Sequence, residues 1–187
     1  MKLIKLGLLT AALSVSTLAM ASDDMTINLL ALNASNTSVE ALAPVVRQTD
    51  SGVVTEIELD DHRNKQVVYE FKLVDLEADT ERELSYAVAD QSLVEDKSES
   101  LTTFGFSDLD KEDRFAIERV RQSGFDILEV IPQLEQKYSA KLIEAELEEK
   151  SGIVFYEIKL ASAQQGKQKI LINVDGGEEI PVLKRHK

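Results

Sequence analysis

The sequence predicts an α+β protein made of two tandem repeats, each a helix (or helix pair) packed on a three-stranded antiparallel β-meander. Three observations predict it. First, the chain aligns with itself. Residues 39–59 lie over residues 127–147 without a gap at an offset of 88, which sets Pro44 on Pro132, Gln48 on Gln136 and Ser51 on Ser139. The same offset sets Glu56, Glu58 and Leu59 on Glu144, Glu146 and Leu147. Second, the apolar period inside each copy switches from helical to alternating. Third, polar turns separate the alternating runs. The offset becomes 87 at Tyr69 and Tyr156, because the turn between is one residue shorter in the second copy.

Each copy opens with a helical pattern. "INLLAL" and "DKEDRFAIERVRQ" fall at the same offset and predict a first helix in each. Asp108 is a candidate N-cap for the second of these, with acidic first-turn residues favoured by the helix dipole. Val39, Leu42, Ala43 and Val46 then stand at i, i+3, i+4 and i+7, and Ile127, Val130, Ile131 and Leu134 repeat that stripe. Pro44 and Pro132 sit inside it, so the helix is expected to kink there or to begin near the proline.

Strands follow. Thr55, Ile57 and Leu59 alternate with Glu56 and Glu58, as Ile143, Ala145 and Leu147 alternate with Glu144 and Glu146. The second strand sets Val67, Tyr69, Phe71 and Leu73 against Glu70 and Lys72, and its twin sets Val154, Tyr156, Ile158 and Leu160 against Glu157 and Lys159. The third runs through Leu84, Tyr86 and Val88, then Ile170, Ile172 and Val174. Alternation of this kind gives a sheet one buried and one wet face, and the helical stripe covers the buried one.

"MKLIK", an apolar small-residue run, and Ala19-Met20-Ala21 have the layout of a signal peptide cleaved after Ala21. The chain then divides into a signal peptide over 1–21, a first repeat over 22–94, a linker over 95–107 and a second repeat over 108–187. Export to the periplasm or the medium is the expected destination. There is no cysteine, so the fold has no disulfide to hold it. Formal charge is −13, and removing Lys2 and Lys5 with the leader takes it to −15. Such a chain repels phosphate backbones and anionic lipid, which argues against a nucleic-acid partner. No stretch after the leader is long and apolar enough to cross a membrane.

A helix followed by "LIEAELEEKSG", "VFYEIKL" and "ILINVDGGEEI" resembles the PepSY domain family. In the second copy Glu144, Glu146, Tyr156, Glu157, Val174, Asp175 and Gly177 take the motif positions. Asp175-Gly176-Gly177 is shorter than the family's usual Asp-to-Gly spacing. The first copy matches through Glu56, Glu58, Tyr69 and Glu70, and its third strand lacks the glycine. The resemblance implies an exported, non-catalytic module proposed to inhibit or regulate peptidases, with another exported protein as partner. The tyrosines read as inner-face aromatics and the Asp-Gly end as turn chemistry.

Residue chemistry points the same way. His62 and His186 have no His or Cys at ligand spacing, and His-Glu-x-x-His is absent. The sequence has no Gly-x-Ser-x-Gly elbow, cysteine nucleophile or phosphate-binding glycine loop. "DLDKED" lacks the glycine and terminal glutamate of a calcium loop. No catalytic, cofactor or metal residues are assigned. The candidate partner-binding residues are Glu56, Glu58, Glu144 and Glu146, which project from the wet faces. Lys72 and Lys159 on those faces are expected to pair with some of them. Solubility alone explains such faces; the sharper alternatives are docking of a basic partner or of basic peptides, or binding of divalent cations, in the cell envelope.

Overall fold

The computed structural model describes residues 23–63, 65–103, 106–107 and 109–181. Ala21, Asp108 and His186 lie outside them. The elements run α1 (Asp23–Ala34), α2 (Val39–Thr49), β1 (Val53–His62), β2 (Gln66–Asp75), β3 (Thr80–Ala87) and β4 (Leu93–Ser100). They continue with β5 (Thr102–Thr103), β6 (Phe106–Ser107), α3 (Lys111–Ser123), α4 (Ile127–Tyr138), β7 (Lys141–Lys150), β8 (Ile153–Ser162), β9 (Gly166–Asn173) and β10 (Glu179–Ile180).

The architecture corrects the expected fold class. The strands do not form two three-stranded meanders, each under its own helix. They form one antiparallel sheet of eight strands in the order β10-β9-β8-β7-β1-β2-β3-β4, and the fold is dominated by that sheet. The physical reason lies at β1 and β7. In two separate units each would be an edge strand with unpaired backbone groups and a half-covered apolar face. Pairing them removes two edges and joins the apolar faces into one core, in which α2 and α4 residues pack with both halves of the sheet. Each half also gains a strand. The expected boundary at 94/95 falls inside β4, a highly charged outer strand that pairs with β3 and takes up the first residues of the expected linker, and β10 adds a two-residue strand to β9.

Local chemistry fixes the helices. Ser38 caps α2, accepting from the Ala41 N–H at 3.2 Å, and Asp126 caps α4, accepting from Leu128 at 2.8 Å. Pro44 and Pro132 lie well inside these helices, which run through them rather than starting there. The buried stripe of α2 is Val39, Leu42, Ala43 and Val46; that of α4 is Ile127, Leu128, Ile131 and Leu134. Asp110 caps α3, accepting from Asp113 N–H at 2.8 Å, and Gly124 ends it in the left-handed region at φ 68°.

Candidate functional site

β1 and β7 pair over three residues: Glu56 opposite Glu146, Ile57 opposite Ala145, and Glu58 opposite Glu144. At the duplication's offset each strand maps onto the other, so the pairing is unchanged when the copies are exchanged, as a local two-fold axis beside Ile57 and Ala145 requires. The four candidate glutamates, distributed over both halves of the sequence, are therefore neighbours. Ile57 and Ala145 are fully buried, so the glutamates that alternate with them stand on the opposite, outer face.

Tyrosine hydroxyls brace this short junction from beneath. Both strands carry a bulge at the equivalent place, between Val54 and Glu56 in β1 and between Leu142 and Glu144 in β7. Tyr156 donates to the Val54 carbonyl at 2.5 Å, and Tyr69 donates to the Leu142 carbonyl at 3.1 Å. Each copy thus satisfies an acceptor of the other, one at each end of the three-residue pairing. Burial pushes both phenol pKa values far up, so both hydroxyls remain donors. The alternation pattern marks these tyrosines as core residues; nothing in it reveals that their hydroxyls cross between copies.

On the outer face two rows of side chains cross the sheet. One runs Lys97, Glu83, Lys72, Glu56, Glu146, Glu157; the next runs Glu95, Ser85, Glu70, Glu58, Glu144, Lys159, Lys169. Lys72 bonds Glu56 at 2.6 Å, Lys159 pairs with Glu144, and Lys169 pairs with Glu157. Glu58 and Glu146 have no cation among the described ion pairs. Burial, then the charges of Asp60, Glu56, Glu144 and Glu70, push the Glu58 carboxyl up to about 6. Burial, then Glu148, Glu56 and Glu144, raise Glu146, with Lys159 opposing. Glu70 is raised by burial, Glu83 and Asp60 against Lys72 and Lys97.

These directions fix a sign. A carboxyl raised above its unfolded value destabilises the fold when ionised, and the cost is relieved as protons return. For Glu58 the cost is fully present above about 6 and relieved as pH falls toward its ordinary 4.5. Carboxylates held low by arginine, such as Asp96 and Asp175, pull oppositely only at more acid pH. The thermal midpoint is therefore expected to rise between pH 7 and 5, and Glu58→Gln should raise it at pH 7 and flatten that rise. A Glu58→Gln profile parallel to the wild-type profile would show that Glu58 bears no such cost.

The remaining sequence candidates are structural or already paired. His62 ends β1, 3.5 Å from Glu95. Asp175 is gripped by Arg119 of α3 at 2.6 and 2.9 Å, and Gly177 follows in the left-handed region at φ 71°. A cleft of about 300 Å³ lies between α2, α3, α4 and the start of β1. Its arginines are engaged, Arg47 with Asp126 and Arg121 with Glu77. Among the described residues no group of three or more His, Asp or Glu side chains could hold a metal ion. The carboxylates lie in rows rather than converging on a point. Among the described residues no helix is long and apolar enough to cross a membrane.

The features together define a sheet-dominated antiparallel protein with internal two-fold character and an acidic, half-buried outer face. No protein-family model matches the chain, and no curated protein matches it. Among solved structures, the crystal structure of a "putative lipoprotein" from Clostridium difficile 630 is similar at a TM-score of 0.41 and 16% identity, over 75% of this chain and 88% of that one.

Proposed function

We propose that the chain is an exported, non-catalytic binding protein, PepSY-like in its repeat, that regulates a peptidase in the periplasm or the medium by docking a basic surface of it on the acidic sheet face. One observation carries the reading. Glu56, Glu58, Glu144 and Glu146 stand side by side at the junction, and the cations within the patch, Lys72 and Lys159, are paired to Glu56 and Glu144. Glu58 and Glu146 are left with raised pKa values that a cationic partner would relieve. A rigid sheet holds these carboxylates without loop ordering, which lowers the cost of association.

Charge complementarity of this kind acts mainly on encounter. Glu144→Lys with Glu146→Lys, and separately Glu56→Lys with Glu58→Lys, should slow association about tenfold or more with a peptidase captured from a periplasmic extract. Binding of the unaltered protein should weaken as salt rises. Because the two pairs share one patch, both reversals should act, and to a similar extent. Folded variants that keep full, salt-insensitive binding would overturn the reading.

A further inference from the structure

One backbone group is matched in the second copy and unmatched in the first. At the offset of 88, Leu142 takes the place of Val54, and Glu135 that of Arg47. Both backbone groups of Leu142 are met: its carbonyl accepts from Tyr69, and its N–H donates to Glu135 Oε1 at 2.8 Å. The Glu135 side chain is largely buried, with Oε2 3.5 Å from Lys141 Nζ. In the first copy the Val54 carbonyl accepts from Tyr156 in the same way. The N–H and C=O of one residue in an antiparallel strand point to the same side. The Val54 N–H therefore turns, with its carbonyl, away from β2, beyond Glu56 and Glu146, where pairing with β7 stops. Arg47, standing where Glu135 does, has no acceptor to offer and reaches to Asp126 at 2.9 Å instead. No side chain among the described residues accepts from the Val54 N–H.

The cleft of about 300 Å³ lies at this group. Val54, Tyr156 and Arg47 line it, and Val46, Leu73, Phe125 and Leu128 give it apolar walls. We propose that the cleft binds a small apolar monocarboxylate, free or as the C-terminal residue of a polypeptide, whose carboxylate accepts from the Val54 N–H as Glu135 does from Leu142. The volume is at the small end of ligand sites, and apolar walls around a few polar groups are their usual composition. Arg47 uses Nε and one Nη on Asp126, which leaves its other Nη to meet a second carboxylate. Asp50 and Asp126 also line the cleft, accepting from the Gly52 and Leu128 N–H groups. Their charges disfavour a polyanion and limit the occupant to one carboxylate. None of the four outer-face glutamates lines the cleft, so the site is distinct from the acidic face and does not depend on it.

The test uses the full mature chain, with sodium phenylacetate and the peptide acetyl-Gly-Gly-Phe as probes and the amide of each as its control. In the free protein the Val54 amide should exchange faster than that of Leu142, its carboxylate-bonded counterpart. At millimolar concentration at least one acid should slow Val54 exchange about tenfold or more and move its amide resonance downfield; neither amide should. Protection by phenylacetate marks a free acid as sufficient, and protection by the peptide alone marks a C-terminal residue. Arg47→Glu restores the second copy's arrangement, so it should protect Val54 without any probe and abolish binding. Arg47→Ala should stay folded, leave Val54 unprotected and weaken binding. Val54 exchange as slow as that of Leu142 in the free protein would overturn the proposal. So would equal protection by acids and amides, protection by none of them, or undiminished binding to Arg47→Glu.

Discussion

Tyr156→Ala is expected to lower stability by about 3–5 kcal/mol, and Tyr69→Ala by a similar amount, the range for buried aromatic truncation. Both rings are essentially inaccessible, at 1% and 0% exposure. Tyr156 stacks on Phe125 at 5.6 Å between centroids, and Tyr69 packs beside Phe71 at 6.4 Å. Loss of volume is only part of the effect. Tyr156→Phe keeps the ring and leaves the Val54 carbonyl without its cross-copy donor, which should cost about 1–3 kcal/mol. Tyr69→Phe should do the same at Leu142. Because the two bonds close opposite ends of one three-residue pairing, the double Phe variant should depart from additivity. Denaturant midpoints read all of these, and midpoints unchanged by the alanine variants would place both rings at the surface.

Ile57→Ala is expected to cost about 2–5 kcal/mol. Ile57 sits at the junction's centre opposite Ala145, both at 0% exposure. A methyl already faces the space Ile57 would vacate, so the cavity has little to collapse onto and the upper part of that range is expected. The local two-fold axis adds a sharper consequence. Combining Ile57→Ala with Ala145→Ile exchanges the two residues between equivalent places and keeps total volume, so most of the loss should be recovered. Equilibrium unfolding of the three variants measures it. A double variant no more stable than Ile57→Ala would mean the two places are not equivalent.

The duplication was legible because it repeats side-chain chemistry: the helical stripes, the glutamate alternation and the tyrosines recur in order. What joins the copies was not. Ile57 and Ala145 look like ordinary inward positions, and no periodicity says which edge strands meet. β4 was hidden for a related reason. "EDKSES", residues 95–100 of β4, has no apolar alternation because most of these residues are exposed, so it reads as a linker although it pairs with β3. Of the two roles expected for the prolines, that of setting the helix starts falls to capping by Ser38 and Asp126 instead. The four glutamates were visible individually as wet-face residues. Their adjacency was not, because it is a property of the β1–β7 register.

That register is the central claim, and the absence of cysteine from the chain makes it directly measurable. Directly opposed residues of an antiparallel pair lie within disulfide reach. Mild oxidation of the mature protein carrying Glu58→Cys and Glu144→Cys should give an intramolecular disulfide in the monomer, read by intact mass and by a peptide map linking β1 to β7. Thiols that stay free in the folded monomer, or that link only between molecules, would contradict the joined sheet and the acidic face built on it.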